Sequence, residues 1–254
     1  MVVAPLIDTD FDVRMDAGGR DPDCYSTTLR RYHRQLWSKP LPSGSMFGLD
    51  ARLHHNSDLG EFWLSSDSIV HTYTGWSRPS RLLAVLAATP SEDQSAFLDL
   101  ACTIGAFVVF PVSTYVDGKL QQTINQRRGM HPLIRDRFDL TLECIRRHYA
   151  GLDSPLGPVF AIHAAFFNLF GSFRAYVEHF LLQDLVGIDL DSVRFLKDFD
   201  DFSGEPLPAA SAEEYREYMQ RSMAFTQARN KRIAAYETGR GSRQATDGER
   251  RATG

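Results

Sequence analysis

The densest run of reactive side chains begins at Thr123-Ile-Asn-Gln-Arg-Arg-Gly129 and continues through Ile134-Arg-Asp-Arg-Phe-Asp-Leu-Thr-Leu-Glu143 to His148. Read as a helix, this segment places Asp136, Asp139 and Glu143 within about 60° of one another, interleaved with Arg135, Arg146 and Arg147. An arginine-bearing, glycine-containing loop that leads into a helix suits an anion, because unpaired N–H groups and guanidinium forks converge there. Asn125, Arg128 and Arg137 are therefore candidate substrate-binding residues, and Asp136, Asp139 and Glu143 are candidate bases. The same carboxylate row can hold a divalent metal. The competing reading is a solvated helix face of salt bridges such as Glu143–Arg147, lying nearly opposite the apolar stripe.

A second group lies upstream, in Leu53-His-His-Asn-Ser57 and Ser65-Ser-Asp-Ser-Ile-Val-His71. His54 and His55 are neighbours on a strand and so point to opposite faces, which lets only one of them enter a given site. His55 is the candidate catalytic histidine, Asp67 a candidate substrate-binding carboxylate, and His71 a possible partner in acid–base or metal chemistry. No zinc-ligand spacing, phosphate-binding glycine loop, nucleophile elbow or HExxH pair is present. His163 and Asn168, within a very apolar segment, read as core polar groups with partners.

These residues need a scaffold. Ser26 caps a helix carrying Leu29, Tyr32, His33, Leu36 and Trp37 at helical spacing until Pro40 stops it. Strand-like runs follow at 46–49, 51–55 and 61–64, then helices over 80–88 and 91–102. Ile104–Phe110 is the best candidate for a buried strand, and Asp117-Gly118 turns a hairpin into a second strand over 120–125. From Pro132 the pattern turns to long helices: 132–149, 158–170, 172–186 and 212–236. The second of these is apolar nearly all round and is expected to be the most buried. The expected architecture is α+β, a small antiparallel sheet packed on a mainly helical body. Residues 1–238 form one domain, β-rich over 1–126 and helical over 127–238, and 239–254 form a disordered tail.

Composition narrows the function classes. The chain has 254 residues and a formal charge of −4, so no global basic field supports nucleic-acid binding. Of its 28 Lys and Arg, only Lys39, Lys119, Lys197 and Lys231 are lysines, a bias toward the residue suited to bidentate contact with carboxylates and phosphates. Cys24, Cys102 and Cys144 form no CxxC pair and suit a reducing compartment. The start lacks a basic leader, and the apolar run 100–112 is too short to span a bilayer, so a cytoplasmic protein without membrane contact is expected. No pattern in the chain specifies a cofactor or an oligomeric state.

The strings Thr123-Ile-Asn, Arg128-Gly, Ile134-Arg-Asp-Arg-Phe-Asp-Leu-Thr-Leu-Glu-Cys-Ile-Arg-Arg-His-Tyr149, Phe180-Leu-Leu-Gln-Asp-Leu-Val186, Phe199-Asp-Asp-Phe202 and Ala228-Arg-Asn-Lys-Arg-Ile233 resemble a bacterial family known only as a domain of unknown function. The resemblance extends to Leu29–Gly44, Leu53–Ser57 and Leu64–Asp67, and so covers the chain except its tail. It implies a complete unit and no particular activity. The expected function is an enzyme that binds an anionic, phosphorylated or nucleotide-like small molecule at an Arg/Asp/His-rich cleft. One alternative is a non-catalytic binding or structural protein. Another is a defence or toxin protein acting on nucleic acid, because Arg174-Ala-Tyr-Val-Glu-His179 resembles the Arg-x4-His pair of HEPN ribonucleases, although Ala175 stands where those enzymes usually carry a polar residue.

Overall fold

The computed structural model describes residues 7–74, 82–112, 115–116, 119–120, 134, 137–203 and 210–252, with side chains as far as 237. Helix α1 (Pro22–Tyr25) leads into α2 (Thr27–Trp37). The Ser26 side chain accepts the Leu29 N–H at the α2 N-terminus, and Leu29, Tyr32, His33, Leu36 and Trp37 are its buried stripe, as their spacing predicts. Short strands β1 (Lys39–Pro40) and β2 (Met46–Phe47) pair with each other. Strands β3 (His54–Ser57), β4 (Gly60–Ser68) and β5 (Phe107–Pro111) form an antiparallel sheet in that order. Between β4 and β5 the chain makes α3 (Leu83–Ala87) and α4 (Ser91–Ala101). The run expected as one strand from Ile104 first makes a 3-10 turn, Ile104–Ala106, and only then extends. Strands β6 (Tyr115–Val116) and β7 (Lys119–Leu120) pair antiparallel, with Val116 opposite Lys119; the expected Asp117-Gly118 turn and the rest of the strand expected over 120–125 lie outside the described residues.

The helical body comprises α5 (Phe138–Tyr149), α6 (Gly157–Ile162), α7 (Ala164–Asn168), α8 (Phe173–His179) and α9 (Ala212–Ala252). A small antiparallel sheet on a mainly helical body is thus the observed α+β architecture. Several expectations change. The helix expected over 172–186 ends at His179 and is followed by a 3-10 turn at Gln183–Leu185, and α9 runs on to Ala252, past residue 239 where a disordered tail was expected. The 158–170 segment is not one helix: it breaks at His163 (φ −101°, ψ 20°), and Ile162 is 45% exposed. The deeply buried helix is instead α5, whose residues Phe138–Ile145 are all buried. Periodicity missed this because buried ion pairs, not apolar residues, cover part of its surface. Aromatic rings join sheet to helices: Phe166 lies 6.4 Å from Phe47 and 5.8 Å from Phe62, and Trp37 lies 5.3 Å from Phe180.

One side chain pins distant segments together. Arg229, fully buried on α9, donates Nε to Leu181 O (3.1 Å), Nη1 to Gly105 O (2.9 Å) and Phe107 O (2.6 Å), and Nη2 to Phe180 O (2.9 Å). Four carbonyls from the entry to β5 and the end of α8 are satisfied by one guanidinium. Burial pulls its pKa down to about 9. Among the described residues no helix is long and apolar enough to cross a membrane.

Candidate functional site

At the first turn of α5, two residues singled out by sequence meet each other and the backbone of 196–197. Arg137 precedes that helix and is 3% exposed; Asp139, in its first turn, is 0% exposed. Arg137 Nε and Nη2 donate to Asp139 Oδ1 and Oδ2 at 2.8 and 2.5 Å. Nη2 also reaches Lys197 O at 3.0 Å, while the Leu196 N–H donates to Asp139 Oδ2 at 2.9 Å. Burial opposes the Arg137 charge and Asp139 more than offsets it, so the guanidinium is held above its ordinary value. The competing reading of a solvated charged face fails at this turn: the carboxylate and guanidinium are turned inward and bonded to each other and to backbone.

On α9, Tyr218 and Tyr215 fasten the end of the β4 segment to this junction. The Tyr218 hydroxyl donates to His71 O at 3.1 Å and accepts the His71 N–H at 3.2 Å; the Tyr215 hydroxyl donates to Thr72 O at 2.6 Å. Burial lifts the Tyr218 phenol to about 12, and Arg137 and Asp139 act on it electrostatically. His71 Nδ1 accepts the Tyr73 N–H at 3.1 Å, so a neutral His71 carries its proton on Nε2. Tyr73 itself is buried at φ 59°, a left-handed backbone that a bulky residue adopts only under constraint. Beside these groups lies a cavity of 170 Å³ lined by Leu196, Lys197, Asp198, Glu214, Glu217 and Tyr218. Its rim is laced by Lys197–Glu214 at 3.3 Å and by Arg221, which bridges Asp198 at 2.9 Å and Glu217.

The other expected site residues are placed elsewhere. His55 is 2% exposed, stacked on Phe47 at 4.4 Å, and its ring nitrogens meet Gly48 and the Ser57 hydroxyl. His54, on the opposite face, stacks on Trp63 at 4.0 Å and bonds Glu61 at 2.9 Å. Glu143 accepts from Arg146 at 2.7 and 2.8 Å and from Arg147 at 2.8 Å. Burial raises its pKa, but these two guanidiniums outweigh that and hold it low. Asn125, Arg128 and Asp136 lie outside the described residues. Arg174 is exposed and donates to Asp189 O at 2.6 Å, whereas His179 is buried against Phe170 at 5.0 Å and Phe180 at 4.9 Å. That pair does not meet on one surface. Among the described residues no group of three or more His, Cys, Asp or Glu is placed to hold a metal ion.

Asp67 leads to a group that sequence reading missed. Across β4, Asp23 from α1 accepts from Ser66 Oγ at 2.7 Å and Ser68 Oγ at 3.4 Å. Ser66 Oγ is 3.0 Å from His33 Nε2, and His33 Nδ1 accepts from Trp37 Nε1 at 3.0 Å. Because the indole can only donate, neutral His33 carries its proton on Nε2 and the chain of donors runs from Trp37 through His33 and Ser66 to Asp23. Burial, then the Asp67 charge, lifts the Asp23 carboxyl to about 7. The Asp23 carboxyl thus ends a buried chain of donors with a second carboxylate, Asp67, acting on it. Its sequence signal was slight: Asp21-Pro-Asp reads as a helix cap.

An α+β chain with buried Arg/Asp and Asp/Ser/His networks is the class that fold and geometry define. The chain belongs to the family of unknown function DUF6994, whose profile matches residues 7–233. No curated protein matches it, and neither does any solved structure.

Proposed function

We propose that this protein is an enzyme that binds an anionic, phosphorylated or nucleotide-like small molecule where residues 71–74, the start of α5 and residues 196–198 meet. The observation that carries the reading is that Tyr218, hydrogen-bonded to His71, lines one cavity with Leu196 and Lys197, whose backbone bonds Asp139 and Arg137. Strain at Tyr73 in the same place supports it, because strained backbone persists where surroundings enforce a particular geometry. In this reading Asn125 and Arg128 grip the anion and Asp136 is the candidate base. Arg137 and Asp139 position that segment and do not touch the ligand, since each is committed to the other and to backbone.

Native mass spectrometry of the purified protein, followed by thermal melts against nucleotides and sugar phosphates, tests this. The expected result is a co-purifying or stabilising anion whose effect Arg128→Ala removes while leaving the unliganded melting temperature nearly intact. Absence of any ligand response, together with a large loss of stability in Arg128→Ala, overturns it. The second reading, a non-catalytic protein with a buried structural network, is favoured by the commitment of Arg137 and Asp139 to backbone at 196–197.

A further inference from the structure

A depression of 280 Å³ on α2 is lined by Thr27, Arg30, Arg31, Arg34 and Ala51. Thr27, Arg30, Arg31 and Arg34 stand at i, i+3, i+4 and i+7, which is one face of a helix, opposite the stripe that packs inward. Arg30 donates to Cys24 O at 2.9 Å, and Arg31 lies over the Tyr32 ring at 5.1 Å, so both stems are steered. Among the described residues no carboxylate lies within ion-pair distance of these three arginines. By contrast, Arg14, Arg137, Arg146, Arg147, Arg221 and Arg232 each have an acidic partner. Three guanidiniums that repel one another on one helix face, in a chain of net charge −4, make a site in deficit of negative charge.

We infer that this depression is a second binding site, separate from the junction proposed above, for a compact phosphate-bearing small molecule of the pyrophosphate type. Arginine forks match phosphate oxygens bidentately, and three of them suit more than one phosphate. The surroundings limit the size of the ligand. Asp16 lies at the N-terminal end of α2, bonded to Ser26 and the Thr28 N–H, and Asp50 lies beside Ala51. These carboxylates border the patch and disfavour a long polyanion running across it.

Isothermal titration of the full chain with inorganic pyrophosphate tests the inference, using wild type, Arg31→Gln/Arg34→Gln and Arg128→Ala. Wild type and Arg128→Ala bind alike, and the double variant loses at least tenfold in affinity. Arg34 is exposed and Arg31 half-buried over the Tyr32 ring, so circular dichroism and melting temperature are checked against wild type; if the double variant departs from it, Arg34→Gln alone replaces it and shows a smaller loss. The proposal is overturned by absence of pyrophosphate binding to wild type, or by unchanged binding in the arginine variants. Equal competition by sulfate at matched ionic strength, or tighter binding of a single-stranded oligonucleotide through the same arginines, also overturns it. Loss of binding in Arg128→Ala alone would move the pyrophosphate site to the junction instead.

Discussion

Asn230 holds Gly105 from across the core: its Oδ1 accepts the glycine N–H at 2.7 Å, while its Nδ2 donates to Thr103 Oγ1 at 2.8 Å. A Cβ on residue 105 would stand 2.4 Å from that Oδ1 and 2.8 Å from the Thr226 carbonyl. The second of these atoms is helix backbone and cannot step aside. Gly105→Ala is expected to destabilise the fold by about 3 kcal/mol, the upper range for overpacking a close contact. Urea denaturation measures it, and a loss below half that value would mean α9 can shift outward.

Breaking the Arg137–Asp139 pair leaves a buried guanidinium facing backbone alone. Asp139→Ala should cost about 3–5 kcal/mol, because it strands that charge and the Leu196 N–H together. Arg137→Met/Asp139→Leu should recover much of the loss, since it removes both charges at once. If the double variant were as unstable as the single one, the pair would be contributing a geometry that apolar packing cannot replace.

His179 makes the fold sensitive to acid. Burial, with Lys39 nearby, depresses its pKa from an ordinary 6.5 to about 3. The unfolded chain therefore binds the extra proton between those values, so stability is full above pH 6.5 and is lost as pH falls toward 3. At pH 5 this amounts to about 2 kcal/mol. His179→Leu should lose about that much less than wild type between pH 7 and pH 5. Parallel pH profiles for the two proteins would refute the assignment.

Asp23 works in the opposite direction. Its folded pKa of about 7 lies above the ordinary 3.8, through burial and the charges of Asp67 and Asp21. A raised carboxyl contributes stability at low pH and loses it as pH climbs through 7. Asp23→Asn, which keeps an oxygen for Ser66, should already melt above wild type at pH 5, where the unfolded carboxyl is ionised, and further above it at pH 8. Equal melting temperatures at both values would show that Asp23 is not strained by its charge.

The last expectation concerns the C-terminus. Buried contacts on α9 run from Tyr215 to Ile233, and the family match ends at 233. Truncation after Thr238 should leave the melting temperature unchanged, because a segment without an apolar stripe has nothing to offset its ordering entropy. A fall of several degrees would assign it a packing role.

Local rules carried much of the architecture. The α2 stripe and its Ser26 cap follow from spacing and capping chemistry alone. The break at His163 and the 3-10 turn at Ile104–Ala106 do not, because both are imposed by packing from distant segments. The site divides in the same way. Arg137 and Asp139 were visible as charged residues near a helix start, but their inward turn depends on backbone 60 residues later in sequence for Arg137 and 57 for Asp139. Asp23 and Tyr218 take their chemistry from partners 43 and 147 residues away, respectively, and no local periodicity carries that information.

The Arg229 clamp has a consequence for how the chain is made. Carbonyls at 105, 107, 180 and 181 await a guanidinium that lies near the end of the family-matched region. During ribosomal synthesis those segments emerge well before residue 229, so the nascent chain cannot complete this part of its core until α9 has emerged. Closure of the core therefore waits on α9, and a chain made only as far as α8 carries four carbonyls with no guanidinium to meet them.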